Sequence, residues 1–413
     1  MTDTVATRLL NPTYKVAIVG AGFAGLGTAA ALRANGIADF VLFEAGARAG
    51  HAWVDRYDRL HLHSPFHDMP KDGGMRADYP MFIPARQMAE YLQRYAALHG
   101  IDAQVRSATR VLRIEYKSDS TGWRLQTSAG DIEADYVAVA TAINRVPIVP
   151  TIAESERFGG ALMHSATYRN AAPFAGKSVL VVGSGNSAAE IALDLTQNGA
   201  RRTVMWVRGP RHFIPRAVMG GFFRLMRLLG QMNSASNDVA HRISVGTPAF
   251  ERIAVNRDRL MGRFSADLAR FGIRKPRLGP ALEVALNARI PTFDVGAIAA
   301  IRSKQIEVID GNVRPLHAFT PKGMQIGDRE EAFDAVILAT GFRPGLEEFI
   351  ADEALLGPVR NWPANFPLTN DRCRSRVIPS IFFPGFDPTP IGGLSLGRWG
   401  WETGERIAAE LHR

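Results

Sequence analysis

Two glycine-rich turns in this chain have the spacing that lets a backbone hold a phosphate. The first lies in VAIVGAGFAGLGTAAAL, residues 16–32, where an apolar run ends in Gly20, Gly22 and Gly25 and an Ala/Leu-rich stretch follows. That pattern predicts a strand, a tight turn and a helix. Gly20 permits the turn, Gly22 lets the backbone approach a pyrophosphate, and Gly25 lets helix and strand pack closely. The helix N-terminus then presents unpaired N–H groups and a partial positive charge to the phosphates. The second turn lies in SVLVVGSGNSAAEIALDL, residues 178–195. Gly183 and Gly185 repeat the arrangement, Ala188 stands where a third glycine would be, and Asn186 and Ser187 follow the turn.

Each turn is followed by a second apolar strand, and the two strands end in opposite charges. FVLFEAG, residues 40–46, places Glu44 at the end of the first, whereas TVMWVR, residues 203–208, places Arg208 at the end of the second. A carboxylate at that place accepts hydrogen bonds from free ribose hydroxyls, and a guanidinium binds a 2′-phosphate. The first unit is therefore expected to hold FAD and the second NADPH, with hydride passing from nicotinamide to flavin. Arg211 and Arg216 follow Arg208 closely and either extend the phosphate field or form a solvated basic loop.

The elements that position these turns read as an α/β protein with two Rossmann-like dinucleotide-binding domains. Residues 1–171 are expected to begin the FAD domain, residues 172–323 to form an inserted NADPH domain, and residues 324–413 to complete the FAD domain. The run FDAVILATGFRP, residues 333–344, reads as the buried strand that returns the chain to the first unit. DYVAVATAINRVPIVP, residues 135–150, reads as the crossing that leaves it.

Composition narrows the class. The chain has 413 residues, 46% of them hydrophobic and 22% charged, an ordinary globular balance that supplies a large core. No apolar run is long enough to span a membrane, and the N-terminus lacks the basic flank and apolar core of a secretory signal, so a cytoplasmic location is expected. Cys373 is the single cysteine, which excludes an internal disulfide, a Cys-x-x-Cys redox pair and a thiolate zinc site. The net charge of +9 comes from scattered residues. Two polyanionic cofactors account for it, and no run marks a nucleic-acid tail. The stretch 217–232, AVMGGFFRLMRLLGQM, reads as a lid or core segment in preference to an interfacial membrane helix. His61, His63 and His67 cluster in HLHSPFH, but no carboxylate completes a site there, so no metal is expected.

Between the two units the chain reads FGGALMHSATY from Phe158. Phe158, Gly160, His164 and Tyr168 match F-x-G-x-x-x-H-x-x-x-Y, and this resembles the fingerprint of the flavin-containing monooxygenases. Baeyer–Villiger relatives carry Trp at the last position, so Tyr168 points to the flavin-containing branch. ATGF at residues 339–342 resembles the family's second signature. YDRLHLHSP (57–65), GIRKPRLGP (272–280) and IPTFDVGAIAAIRSKQIEV (290–308) are similar to the indole-3-pyruvate monooxygenases, the YUCCA branch. The resemblance spans residues 14–345, fades over 217–269 and beyond 345, and departs from the family at Thr141-Ala142, where Thr-Gly is usual.

The resemblance implies roles for further residues. Trp53, His63, Val105, Thr141 and Gly341 are expected on the FAD side, with His63 at the flavin edge and so the single candidate for a catalytic side chain. His164 is expected beside NADPH, with Asn186, Ser187, Arg208 and Arg211. The implied chemistry runs through a C4a-(hydro)peroxyflavin, with a small-molecule substrate and molecular oxygen as partners and the oligomeric state left open. Three functions compete: oxidative decarboxylation of an aryl-pyruvate, N- or S-oxygenation of a small amine or thioether, and a nucleotide-binding module without turnover.

Overall fold

A computed structural model describes residues 12–63, 69, 79–117, 122–218, 220–221, 258, 262–287, 289–358, 365–370, 373–386 and 396–413. The first sheet grows from β1 (Thr13–Val19), whose apolar end is buried on both faces. Ile18 faces the core under α1 (Phe23–Ala34), while Ala17 and Val19 face a second core on the opposite side. Continuous apolar runs of this kind suit parallel strands covered on both sides. After β2 (Phe40–Phe43) the chain forms the short α2 (His51–Val54), then α3 (Ala85–Leu98), β3 (Val105–Arg106), β4 (Val111–Tyr116), β5 (Trp123–Thr127) and β6 (Gly130–Val139). The strand order is β3-β2-β1-β6-β5-β4, parallel up to β6 and antiparallel beyond it.

The next elements are β7 (Val146–Pro147), β8 (Ala161–His164), β9 (Ser178–Val182), α4 (Asn186–Gln197), β10 (Arg202–Val207) and β11 (Phe213–Pro215). After them come α5 (Pro280–Asn287), β12 (Thr292–Asp294), α6 (Ala297–Arg302) and β13 (Glu307–Asp310). An antiparallel ribbon of β14 (Leu316–Thr320), β15 (Gly323–Ile326) and β16 (Arg329–Ala332) leads to β17 (Ala335–Leu338) and β18 (Phe342–Arg343). The second sheet has the order β13-β10-β9-β17-β8 and is parallel throughout.

This pairing corrects the expected path of the chain. The run 333–344 does not rejoin the first sheet, because β17 lies between β9 and β8 in the second. The fingerprint strand β8 also belongs there, so the second sheet takes in residues before the boundary expected at 171/172. The physical reason is symmetry of burial. Ala335 and Ile337 pack into the core under α4 and Val336 and Leu338 into the core on the other face, as Val179/Val181 and Leu180/Val182 do in β9. The two units are joined where β7 pairs with β18, Phe342 opposite Pro147.

The chain re-enters the first unit later. β19 (Leu356–Gly357) and β20 (Phe366–Pro367) form a small ladder, and β21 (Ile381–Phe382) adds to β6. The tail then forms α7 (Leu396–Leu411) against α1. Gly397, Gly400 and Gly404 lie on one helix face by their spacing. A Cβ at Gly400 would sit 2.0 Å from the Ala24 carbonyl oxygen, and one at Gly404 would sit 2.4 Å from that of Thr28. Thr28 Oγ1 donates to the Gly400 carbonyl at 3.0 Å. The tail glycines therefore let α7 lie directly on the first glycine-turn helix. No helix among the described residues is long and apolar enough to cross a membrane.

Candidate functional site

The two glycine turns are built alike and each is pressed against a crossing strand. Gly20 has φ +105°, and a Cβ there would lie 2.7 Å from the Ala140 carbonyl oxygen; Gly183 has φ +139°, with 2.4 Å to that of Ala339. A Cβ at Gly25 would come within 1.8 Å of the Gly20 carbonyl oxygen, whereas one at Gly22 or Gly185 would meet nothing within 4 Å among the described residues. That open space beside an unencumbered helix N-terminus is what a pyrophosphate needs. The glycine pattern thus divides into residues that close the turn and residues that leave room for a ligand.

At the first turn, Glu44 accepts from the backbone N–H of Ala21 at 3.1 Å and of Gly46 at 2.7 Å. Two N–H groups hold its carboxylate at the end of β2 and leave lone pairs for ribose hydroxyls. Val105 lies on β3 beside this strand end, where the Glu44 N–H donates to the Arg106 carbonyl. Trp53 packs edge-on against Phe23, the first residue of α1, at 6.1 Å. Thr141 Oγ1 is buried with no hydrogen-bond partner among the described residues, which suits a ligand contact. The Ala142 departure has a structural cost: its φ is 64°, in the left-handed region. Gly341, at the matching place on the other crossing strand, has φ +93° with open space around it. The residues present therefore fit FAD at the first turn.

At the second turn, the Asn186 side chain is occupied within the protein. It accepts from the Phe293 N–H at 2.7 Å and donates to the Pro291 carbonyl at 3.2 Å, tying α4 to β12. Ser187 instead faces the Tyr57 hydroxyl. Arg208 is exposed, and its guanidinium has no partner among the described residues; only its carbonyl is held, by the Asn312 side chain. Arg211 donates to the Ile290 carbonyl at 2.8 Å and lies 3.4 Å from Ser184 Oγ, and burial lowers its pKa. The free cation is thus Arg208, and Arg211 braces the turn. His164 ends β8 with its ring edge-on to Phe342 at 5.1 Å, and burial lowers its pKa.

Residues at the end of the fingerprint and just beyond it tie segment 55–63 to the second unit. The Tyr168 hydroxyl donates to Asp194 on α4 at 2.6 Å; burial, with Asp194 adding to it, raises the phenol pKa. Arg59 reaches the same carboxylate at 3.6 Å. Arg169 pairs with Asp55 at 3.0 Å and Asn170 with Asp58 at 2.7 Å. Segment 55–63 is thereby drawn onto the second unit, where Tyr57 and Leu60 join its core.

His63 lies at the end of that segment, stacked on Phe293 of β12 at 5.9 Å. Its Nδ1 faces Glu190 Oε1 of α4 at 3.7 Å. Burial, reinforced by Arg216, lowers the His63 pKa to about 4. Burial raises that of Glu190 to about 7, opposed by Tyr57, Arg59 and Arg216. Sequence reasoning missed Glu190. The signal available was its spacing, since Glu190 and Asp194 are one helical turn apart among residues of a buried helix. Ser64, Pro65, His67, Met219 and residues 222–232 lie outside the described residues. Among the described residues no group of His, Cys, Asp and Glu could hold a metal.

Comparisons agree with this geometry. The family described as pyridine nucleotide-disulphide oxidoreductase matches residues 17–213, although the single buried cysteine leaves no redox pair for disulfide chemistry. Indole-3-pyruvate monooxygenase YUCCA1 of Oryza sativa subsp. japonica is 34% identical over 347 residues, covering 81% of this chain and 78% of its own. A flavin-containing monooxygenase from Stenotrophomonas maltophilia shares the fold with a TM-score of 0.66 at 22% identity, covering 97% of this chain and 99% of its own. OTEMO, in complex with FAD and NADP, shares it with a TM-score of 0.72 at 17% identity, covering 97% and 86%. Identity of 34% over 81% of this chain, with the family match running across both turns, makes the chain a member of the class B flavin-dependent monooxygenases, close to their YUCCA branch.

Proposed function

We propose that this enzyme binds FAD at the first turn and NADPH at the second, and oxidatively decarboxylates an aryl-pyruvate, with indole-3-pyruvate the first compound to try. The relatedness to indole-3-pyruvate monooxygenase carries the reading. Gly20, Gly22, Gly25 and Glu44 would hold the FAD pyrophosphate and ribose, with Trp53, His63, Val105, Thr141 and Gly341 around the rest. Gly183, Gly185, Ser187 and Arg208 would hold NADPH, with His164 near it and Asn186 and Arg211 supporting the turn. FAD reduced by NADPH supplies the activation of oxygen, and the chain's task is to bind, orient and exclude water.

One feature of the cleft supports an anionic substrate. Arg216 follows β11, half-buried, with its guanidinium 4.7 Å from the Phe82 ring centroid. No carboxylate among the described residues is within ion-pair distance of it, and burial lowers its pKa. A half-buried cation beside His63 attracts a keto-acid carboxylate and repels a protonated amine. On this reading Arg216 serves the substrate side, in place of the phosphate field or a solvated loop.

The reaction balances as keto acid, oxygen, NADPH and a proton giving the acid one carbon shorter, carbon dioxide, water and NADP⁺. The test supplies NADPH, labelled oxygen and either indole-3-pyruvate or a panel of amines and thioethers. Labelled indole-3-acetic acid supports the reading. An N-oxide or sulfoxide, with the keto acid yielding only hydrogen peroxide, overturns it.

A further inference from the structure

Every NADPH-driven oxygenation of this class takes up one proton as one oxygen atom leaves as water. The site therefore needs a group that holds a proton near neutrality without opening the cleft to solvent. We propose that Glu190 is that group: a positioning residue that stores the proton on its carboxyl and passes it through His63 to the reacting centre.

The geometry sets the direction of the path. The Glu190 side chain is 2% exposed and that of His63 21%, with 3.7 Å between Oε1 and Nδ1. Among the described residues, Glu190 is thus closed off from solvent, while His63 beside it keeps partial access. Neither Glu190 Oε2 nor His63 Nδ1 has a hydrogen-bond partner among the described residues. In the transfer, the proton on His63 Nε2 leaves for the cleft as Nδ1 takes the carboxyl proton of Glu190. The pair resets when water reaching His63 protonates Nε2 and the Nδ1 proton returns to the carboxylate.

The described groups facing Glu190 are Tyr57, Arg59 and His63 from segment 55–63, Asp194 on its own helix, and Arg216 after β11. Those facing His63 are Glu190, Arg216 and His61. Burial dominates both, and it favours a neutral acid beside a neutral imidazole, which is the state ready to transfer. Tyr57 acts against burial at Glu190, so its removal drives the acid pKa further up.

The test uses the FAD-loaded enzyme. Difference infrared spectroscopy follows the protonated carboxyl band across a pH series that brackets the Glu190 value of about 7. The band should vanish with that midpoint, be absent in Glu190→Gln, and move to higher pH in Tyr57→Phe. A second readout is hydrogen peroxide release with NADPH and oxygen alone, which does not depend on the organic substrate. Its pH profile should lose the inflection near neutrality in Glu190→Gln and shift upward in Tyr57→Phe, changing roughly tenfold per pH unit beyond the midpoint. A carboxyl that titrates in the ordinary glutamate range overturns the proposal. So does a Glu190→Gln enzyme, or a Tyr57→Phe enzyme should the first fail to fold, whose profile matches the wild type. Because peroxide release is read without keto acid, failure here leaves the substrate assignment standing, and the reverse also holds.

Discussion

Arg208→Ala should separate NADPH from NADH, and Arg211→Ala should not. Arg208 is exposed and its guanidinium has no partner among the described residues, so its removal breaks nothing in the fold. The Asn312 bond is to the Arg208 carbonyl and survives the substitution. Stability should therefore change by no more than about 0.5 kcal/mol. A lost charge-assisted contact to a 2′-phosphate costs about 1.5–3 kcal/mol, or roughly 10- to 150-fold. Solvent exposure puts the effect at the lower end, about 10- to 30-fold, and makes it weaken with salt. Arg211 differs because its guanidinium holds the Ile290 carbonyl at 2.8 Å. Its loss should cost about 1 kcal/mol of stability and weaken both cofactors alike. Steady-state constants for NADPH and NADH, measured with peroxide or product as readout, decide between them. Equal loss for both cofactors in Arg208→Ala, or an NADPH-selective loss in Arg211→Ala, refutes the assignment.

Four further outcomes are expected. Gly22→Val should fold yet lose flavin, because the space at Gly22 is open in the protein itself, whereas Gly25→Ala should destabilise the turn through its 1.8 Å approach to the Gly20 carbonyl oxygen; flavin content and melting temperature distinguish the two, and normal flavin in Gly22→Val counts against the site. Tyr168→Phe should cost about 1.5–3 kcal/mol in denaturant unfolding, since it removes a buried hydrogen bond to Asp194; no loss would dismiss that bond as a support of the second unit. Ala142→Gly should stabilise by about 1 kcal/mol by relieving the left-handed backbone at φ 64°; an unchanged melting temperature would show the position to be unstrained. Glu190, raised from 4.5 to about 7, contributes stability that is fully present below its unfolded value and is lost as pH rises through its folded one, about 3 kcal/mol in all. Glu190→Gln should accordingly match the wild type in mild acid and exceed it in mild alkali, and equal pH profiles would contradict the shift.

The two glycine turns, the opposed charges of Glu44 and Arg208, and the α/β class were legible in the sequence because they are local. Each depends on residues within one strand–turn–helix unit, where spacing along the chain is spacing in the molecule. The fingerprint at Phe158, Gly160, His164 and Tyr168 could likewise be recognised as a pattern, although its physical meaning could not. Tertiary structure alone decided that Tyr168 ends on Asp194, that β17 belongs to the second sheet, and that the tail glycines lie on α1. These contacts join residues far apart in the chain, and apolar periodicity shows that a strand is buried without showing which sheet buries it. Glu190 was hidden for the same reason. A carboxylate on a helix reads as solvated until the neighbouring unit closes over it. Burial against Tyr57 and His63, both more than a hundred residues away in the sequence, is what turns it from a surface charge into a group that titrates near neutrality.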